Sequence, residues 1–339
     1  MKYLVKHGAN INKQKIDEQT PLFIACEKGY ENIVKYLIDH EADINKESRN
    51  GNTPIFKACW NVNENIVKYL VEHGADINKQ KFDDETSLFI VCRKGYENIV
   101  KYLLDHGADI NIEDIDGHTP IFEACWNGNK NIVKYLVEQS TDINKKDSYG
   151  KTPLNYSCSR GHDTIIKYLV ENGVEINEES NDGYTPIFDA CYKGYDVIVK
   201  YLMEHGADII KQDNDGKTPL LITCEKGYEN IVKYLVNHGA DVNKEDNKGN
   251  TPIFKAYDGR YETIIKYLVD HGADINKQNN YRRTLLFYAY FKGDENIVKY
   301  LVEKGADVNK TDRNGKTPLT ITAEKGHNNI LHYLIENNH

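Results

Sequence analysis

Residues 53–85 read TPIFKACWNVNENIVKYLVEHGADINKQKFDDE, and at residue 86 the pattern begins again. Its opening threonine stands at Thr20, Thr53, Thr86, Thr119, Thr152, Thr185, Thr218, Thr251, Thr284 and Thr317, ten copies spaced 33 residues apart without a slip. All eight prolines follow one of these threonines. A fixed period of this length marks stacked supersecondary units, each unable to bury its apolar face alone, rather than one globular core. It moves the question of function from pocket chemistry to surface recognition.

The unit explains itself locally. Thr53 followed by Pro54 is a helix start: the hydroxyl is expected to cap free amides, and proline is tolerated at the first helical position. A short first helix then runs from Ile55 to about Asn61, followed by a turn that usually holds a glycine, such as Gly29, Gly95 or Gly128. In the second helix Ile66, Val67, Leu70 and Val71 form one broad apolar stripe. Gly74 suits a left-handed cap. The polar stretch that remains, with a glycine such as Gly51, fits a β-hairpin finger between units.

A 33-residue unit with T-P-L-x-x-A, a glycine, I-V-K-Y-L and then G-A-D-[IV]-N resembles the ankyrin repeat. The resemblance covers the whole chain. It implies an all-α solenoid of stacked helix-turn-helix repeats joined by β-hairpin fingers. Residues 1–339 are expected to form a single array: a half repeat over 1–14, nine full repeats over 15–311 and a partial repeat over 312–339. It also implies a non-enzymatic scaffold that binds a partner protein in the concave groove lined by the first helices and at the finger tips.

Composition bounds the alternatives. The net charge of −9 is spread through every repeat, with no basic stripe, which argues against nucleic-acid binding. No run of eighteen apolar residues exists to span a membrane. Met1–Val5 reads as the second helix of a repeat whose first half is absent, not as a signal peptide, and Met1 to His7 is expected to be the weakest part of the array. That truncation keeps a second reading open: a targeting segment of a larger protein whose effector domain lies elsewhere. A third is a structural spacer without a fixed partner.

All seven cysteines occupy one repeat position, from Cys26 to Cys224. Metal binding would need ligand pairs a few residues apart, and neighbouring repeats would hold the thiols too far apart for a disulfide. They are expected to be small buried residues in a cytoplasmic, reducing setting. His40, His73, His106 and their equivalents end the second helices, where a partial positive charge suits the exposed carbonyls. No nucleophile–base pair, phosphate loop or calcium loop is present, so no catalytic residue, cofactor or metal is expected, and the chain is expected to be a monomer.

A second period runs inside the first. The residue after T-P alternates, Leu22, Ile55, Leu88, Ile121 and onward, so the unit is a 66-residue pair. Two residues on, Ile24, Lys57, Ile90, Glu123, Tyr156 and Asp189 alternate between apolar and mostly charged. Such a position is expected on a partly open face, since an unpaired buried charge is costly. Three residues further, on the same face, stand Glu27, Trp60, Arg93, Trp126, Ser159 and Tyr192, including both tryptophans of the chain. By the resemblance, Lys57, Trp60, Arg93, Glu123, Trp126 and Tyr192 are the candidate groove residues, with Trp60, Arg93, Trp126 and Tyr192 forming a ladder. Phe82, like Ile16 and Ile115, places an apolar residue at a finger tip and is a further candidate contact.

Some copies depart from the pattern. Asp84 replaces a finger glycine and Ser87 a proline; Arg282 and Leu285 are expected to break a later hairpin. Glu41, Ser140 and Asn338 replace capping glycines. Tyr257 and Tyr290 replace the small residue, so the stretch from Tyr257 to Phe291 is expected to deviate most.

Overall fold

The computed structural model describes Tyr3 and residues 7–336, the last two by their backbone only. The described residues hold twenty helices and no strand. They fall into two compact units, 1–181 and 182–339. In the first, the helices Pro21–Lys28, Pro54–Trp60, Ser87–Lys94, Pro120–Asn127 and Pro153–Arg160 pack side by side. Each is backed by the second helix of its own repeat: Glu31–Ile38, Glu64–Glu72, Glu97–Asp105, Lys130–Glu138 and Asp163–Glu171. The second unit repeats the arrangement with five more pairs, from Pro186–Lys193 and Asp196–Glu204 to Pro318–Lys325 and Asn328–Glu336. Within each unit the pairs stack as a solenoid, helix-turn-helix on helix-turn-helix.

The apolar stripe of the sequence is the core. In the Thr53 repeat Ile55, Ala58, Cys59 and Leu70 are fully buried, and Ile66 and Val67 nearly so. Burying one such aliphatic side chain contributes about 1.5–3 kcal/mol. The seven cysteines lie in this core and are free. Burial pushes the Cys59 thiol up to about 12, the hydrogen bond with Ser87 pulling slightly the other way, so the proline replacement at Ser87 places a hydroxyl beside a buried sulfur.

The helix starts come in two forms. Thr20, Thr218 and Thr284 accept the N–H of Phe23, Leu221 and Phe287 on their hydroxyls at 3.2, 3.3 and 3.2 Å. Thr53 makes no such bond. In the Thr119, Thr185 and Thr251 repeats the same amide, of Phe122, Phe188 and Phe254, donates instead to the threonine carbonyl at 2.9, 2.9 and 3.0 Å. Hydroxyl capping therefore belongs to the Leu-type repeats quoted, and a tighter backbone turn replaces it in these Ile-type ones.

The fingers are turns carrying hairpin bonds. Ser48 N–H donates to Asn52 O and Gly51 N–H to Ser48 O, both at 2.9 Å. Single backbone bonds join neighbouring fingers, as from Ile115 N–H to Asp83 O at 3.2 Å and from Ser148 N–H to Asp116 O at 2.8 Å. Gly51 has φ 73°, and a Cβ there would stand 3.1 Å from Lys81 Cα, so glycine answers both backbone and space. Asp84 and Arg282 take the same left-handed conformation, at φ 61° and 55°. The Arg282 finger is not broken: Arg282 N–H still reaches Asn279 O at 2.8 Å and Asn279 N–H reaches Arg283 O at 3.1 Å. Glu41 and Ser140 likewise adopt φ 66° and 64°. Asn338, and the N-terminal turn expected to be weakest apart from Tyr3 and His7, lie outside the described residues.

Tyr257 and Tyr290 do point inward, at 3% and 0% exposure. The helix Leu285–Lys292 nevertheless keeps eight residues and ends in left-handed Gly293. Pro252–Asp258 is one residue shorter, as is Pro54–Trp60, which carries an ordinary cysteine. The shortening accompanies a residue other than glycine at the left-handed turn position, Arg260 and Val62 taking φ 62° and 61°. Tyr257 reaches the next repeat, its hydroxyl donating to Tyr288 O at 3.4 Å, and Pro252–Asp258 and Leu285–Lys292 are the most loosely apposed first helices of their unit.

Candidate functional site

The exposed face of the first helices in residues 1–181 carries two neighbouring concavities. One, of about 550 Å³, is lined by Lys57, Trp60, Lys81, Phe82, Glu85 and Arg93. The other, of about 280 Å³, is lined by Arg93, His118, Phe122, Glu123, Trp126 and Tyr156. Arg93 is the wall between them. Six of the seven sequence candidates thus meet on one surface, and the finger-tip candidate joins the groove candidates. Tyr192 belongs to the other unit, where it is 49% exposed.

The tryptophans are open but not bare. Trp60 and Trp126 are 42% and 39% exposed. Lys94 Nζ lies 4.1 Å from the Trp60 ring centroid, and Arg160 Cζ lies 4.3 Å from that of Trp126. In both cases the cation comes from the end of the next first helix, 34 residues on. Tyr192 repeats the arrangement in its own unit, with Lys226 Nζ 4.1 Å from its centroid. A cation over an indole is attracted by the negative face of the ring. Lys94 also donates to Trp60 O at 3.1 Å, closing an open carbonyl at the helix end.

The ladder expected from the sequence is corrected at Arg93. Its Nε and Nη2 donate to the two oxygens of Glu123 at 2.8 and 2.9 Å, and Nη2 also donates to Glu85. Lys81 Nζ completes the chain at 3.0 Å from Glu85. Hydrogen bonds to Glu123 and Glu85 hold the Arg93 guanidinium well above its usual range, against burial. Arg93 and Glu123 therefore fix the surface, while the indoles are what it presents. Lys57 lies 3.9 Å from Glu27.

The openness of the alternating position is corrected too. Ile90 is fully buried and Ile222 only 3% exposed. The charged versions are half-buried with partners, as Lys255 is with Asp246 at 2.8 Å. A single position serves as core or as ion-pair site depending on the neighbour, which a list of its residue types does not reveal.

Phe82 stays 74% exposed at its tip. One edge of its ring rests on the preceding finger, where a Cβ added at Gly51 would meet Phe82 Cδ1 at 3.1 Å.

One group escaped the sequence reading. His118 sits in a finger, with Nδ1 3.1 Å from Asp114 Oδ2 and Nε2 3.0 Å from the Tyr156 hydroxyl and 3.3 Å from Asp147 Oδ2. Tyr156 in turn donates to Asp147 at 2.6 Å. Burial opposes the charged ring, but the hydrogen bonds to Asp114 and Asp147 prevail and raise it to about 10. His118 is thus an imidazolium at neutral pH, and its cluster packs edge-on against Trp126 through Tyr156, ring centroids 5.5 Å apart. The signal was a histidine outside the helix-end position. The helix-end histidines do cap carbonyls: His73 Nδ1 donates to Tyr69 O at 2.7 Å and its ring stacks on Tyr69.

No described helix is long and apolar enough to cross a membrane. Among curated proteins, none matches the chain. A family profile described as ankyrin repeats, three copies, matches residues 1–81, 79–147, 140–213, 210–279 and 274–339. With the profile spanning the sequence and the helix pairs repeating as it requires, the chain belongs to the ankyrin-repeat family.

Proposed function

We propose that the chain is a non-enzymatic scaffold that binds a partner protein on the first-helix face of residues 1–181, at Trp60, Phe82 and Trp126. Ankyrin repeats are in general protein–protein interaction modules without catalytic activity. The observation that carries the reading is the exposure of both tryptophans in adjoining concavities held apart by a fixed Arg93. Aromatic residues in such hollows dominate interface energy. Lys57, Arg93 and Glu123 shape the surface, and Tyr192 offers a similar aromatic contact in the other unit. The whole chain acts as one array, as a monomer in the cytoplasm, and needs no cofactor. The spacer reading gives no reason for two indoles left open beside Phe82.

The test is affinity capture from native extract on three forms: wild type, Trp126→Ala and Lys134→Ala on a second helix. A protein retained by wild type and Lys134→Ala but lost from Trp126→Ala, at unchanged melting temperature, supports the reading. Equal retention by all three forms removes this face from consideration.

A further inference from the structure

Three carboxylates of the 1–181 face turn inward: Glu85, Asp114 and Asp147 are each no more than 10% exposed along their side chains and are bonded to Arg93 or His118. Asp83, at the rim of the first concavity, is 48% exposed but pairs with Lys81. Lys94 and Arg160 instead lie on indole faces with no described carboxylate within ion-pair distance; Arg160 is exposed, and Lys94 is half-buried with one donor on Trp60 O. A cation on an aromatic ring keeps its other donors free for an oxyanion, and Arg160 can take a carboxylate with two parallel bonds. Each tryptophan therefore offers one apolar surface with one anion receptor beside it.

The spacing gives the ligand its form. Trp60 and Trp126 lie two repeats apart. With neighbouring helices 8–10 Å apart, that is roughly 20 Å. Extended chain rises about 3.3 Å per residue, so about six residues bridge the two receptors. A nucleic-acid strand would bring a phosphate every few ångströms to these two cations on a chain of net charge −9, and little counterion release would follow.

We propose that this face takes an extended acidic polypeptide segment, with carboxylates about six residues apart at Lys94 and Arg160 and apolar side chains on Trp60 and Trp126. The proposal rests on the partner-binding reading above and adds the chemistry of the partner.

The experiment pans a displayed library of random sixteen-residue peptides against the full chain. Recovered peptides are then synthesised and titrated by intrinsic tryptophan emission, which reports on this site alone because the chain has only these two tryptophans. Expected are peptides enriched in Glu and Asp pairs at that spacing. Their affinity should fall at least tenfold on Lys94→Gln with Arg160→Gln. It should stay within about threefold on Lys94→Arg with Arg160→Lys, which keeps both charges and guards against loss of fold. Peptides without an acidic excess that are still lost on Trp60→Ala with Trp126→Ala would overturn the acidic chemistry and leave the binding face standing. Peptides indifferent to every one of these variants, or no enrichment, would overturn both. Oligo(dT) of twenty nucleotides binding as well as the peptides at about 0.15 M salt would replace the polypeptide by nucleic acid.

Discussion

Arg93 and Arg160 stand near the ends of first helices in the same unit, and they do different work. Arg93 lies between Glu85 and Glu123, bonded to both. Arg160 lies over Trp126 with no carboxylate partner. Lys292, at the same repeat position as Arg160, shows a third outcome: Asp258 stands where Trp126 would be, and the ammonium pairs with it at 3.5 Å. The cation near the helix end recurs, and its neighbour decides its role. A carboxylate neutralises the charge in an ion pair, whereas an indole leaves it without a counter-charge. An account of this surface by residue type alone would rank all three cations together.

The sharpest way to break that comparison is to remove each arginine in turn. Arg93→Met leaves Glu85, which is 8% exposed, with Lys81 but without its guanidinium, and takes both Arg93 hydrogen bonds from Glu123. Removing one partner of a fully buried pair costs 3–5 kcal/mol. Arg93 is about one-third exposed along its side chain, so a loss of about 2 kcal/mol is expected. Adding Glu85→Gln and Glu123→Gln should recover most of it. Arg160→Met should cost less than about 1 kcal/mol. Urea unfolding of the four chains decides the matter. Similar losses for the two single variants would erase the distinction between them.

His118 is the titratable counterpart of Arg93, a cation between two carboxylates. Its pKa is raised to about 10 in the folded chain, above the ordinary value near 6.5. The stability it contributes is therefore complete below about pH 6.5 and is lost as pH rises towards 10. Between pH 6.5 and 9 the wild type should lose on the order of 2 kcal/mol more than His118→Asn. Parallel pH dependence of the two chains would show that the ring is neutral in the native state.

The sequence made the helices legible because every repeat restates the same stripe, as Ile66, Val67 and Leu70 show. It also singles out Trp60 and Trp126, whose type stands out against Glu27 or Ser159 at equivalent positions, and Phe82 at a finger tip. It could not show that Arg93 is held by Glu85 and Glu123, because that depends on a finger residue and on the next repeat at once. Nor could it show Lys94 on Trp60, a contact between residues 34 apart in which the lysine is not unusual alone. Ile90 is buried for a related reason: the tolerance of a position across repeats is not a property of each copy. Periodicity reports what the copies share. The site is built from pairings between different copies.

The smallest expected effect compares the turns that follow the two tryptophans. After Trp126 the left-handed residue is Gly128, at φ 79°; after Trp60 it is Val62, at φ 61° and 44% exposed. A β-branched residue is a genuine outlier there, and the left-handed conformation costs an L-residue roughly 1–2 kcal/mol. Glycine would remove that strain but adds freedom to the unfolded chain, a cost of about 0.5–1 kcal/mol. Val62→Gly should therefore stabilise by up to about 1 kcal/mol. Because Val62 lies outside both concavities, peptide affinity at the Trp60 face should not change. Melting temperature and affinity measured on the same preparation separate the two quantities. A stabilised chain with weakened binding would mean that the strained turn sets the angle of Trp60. The Trp60 and Trp126 receptors would then differ in backbone as well as in their cations.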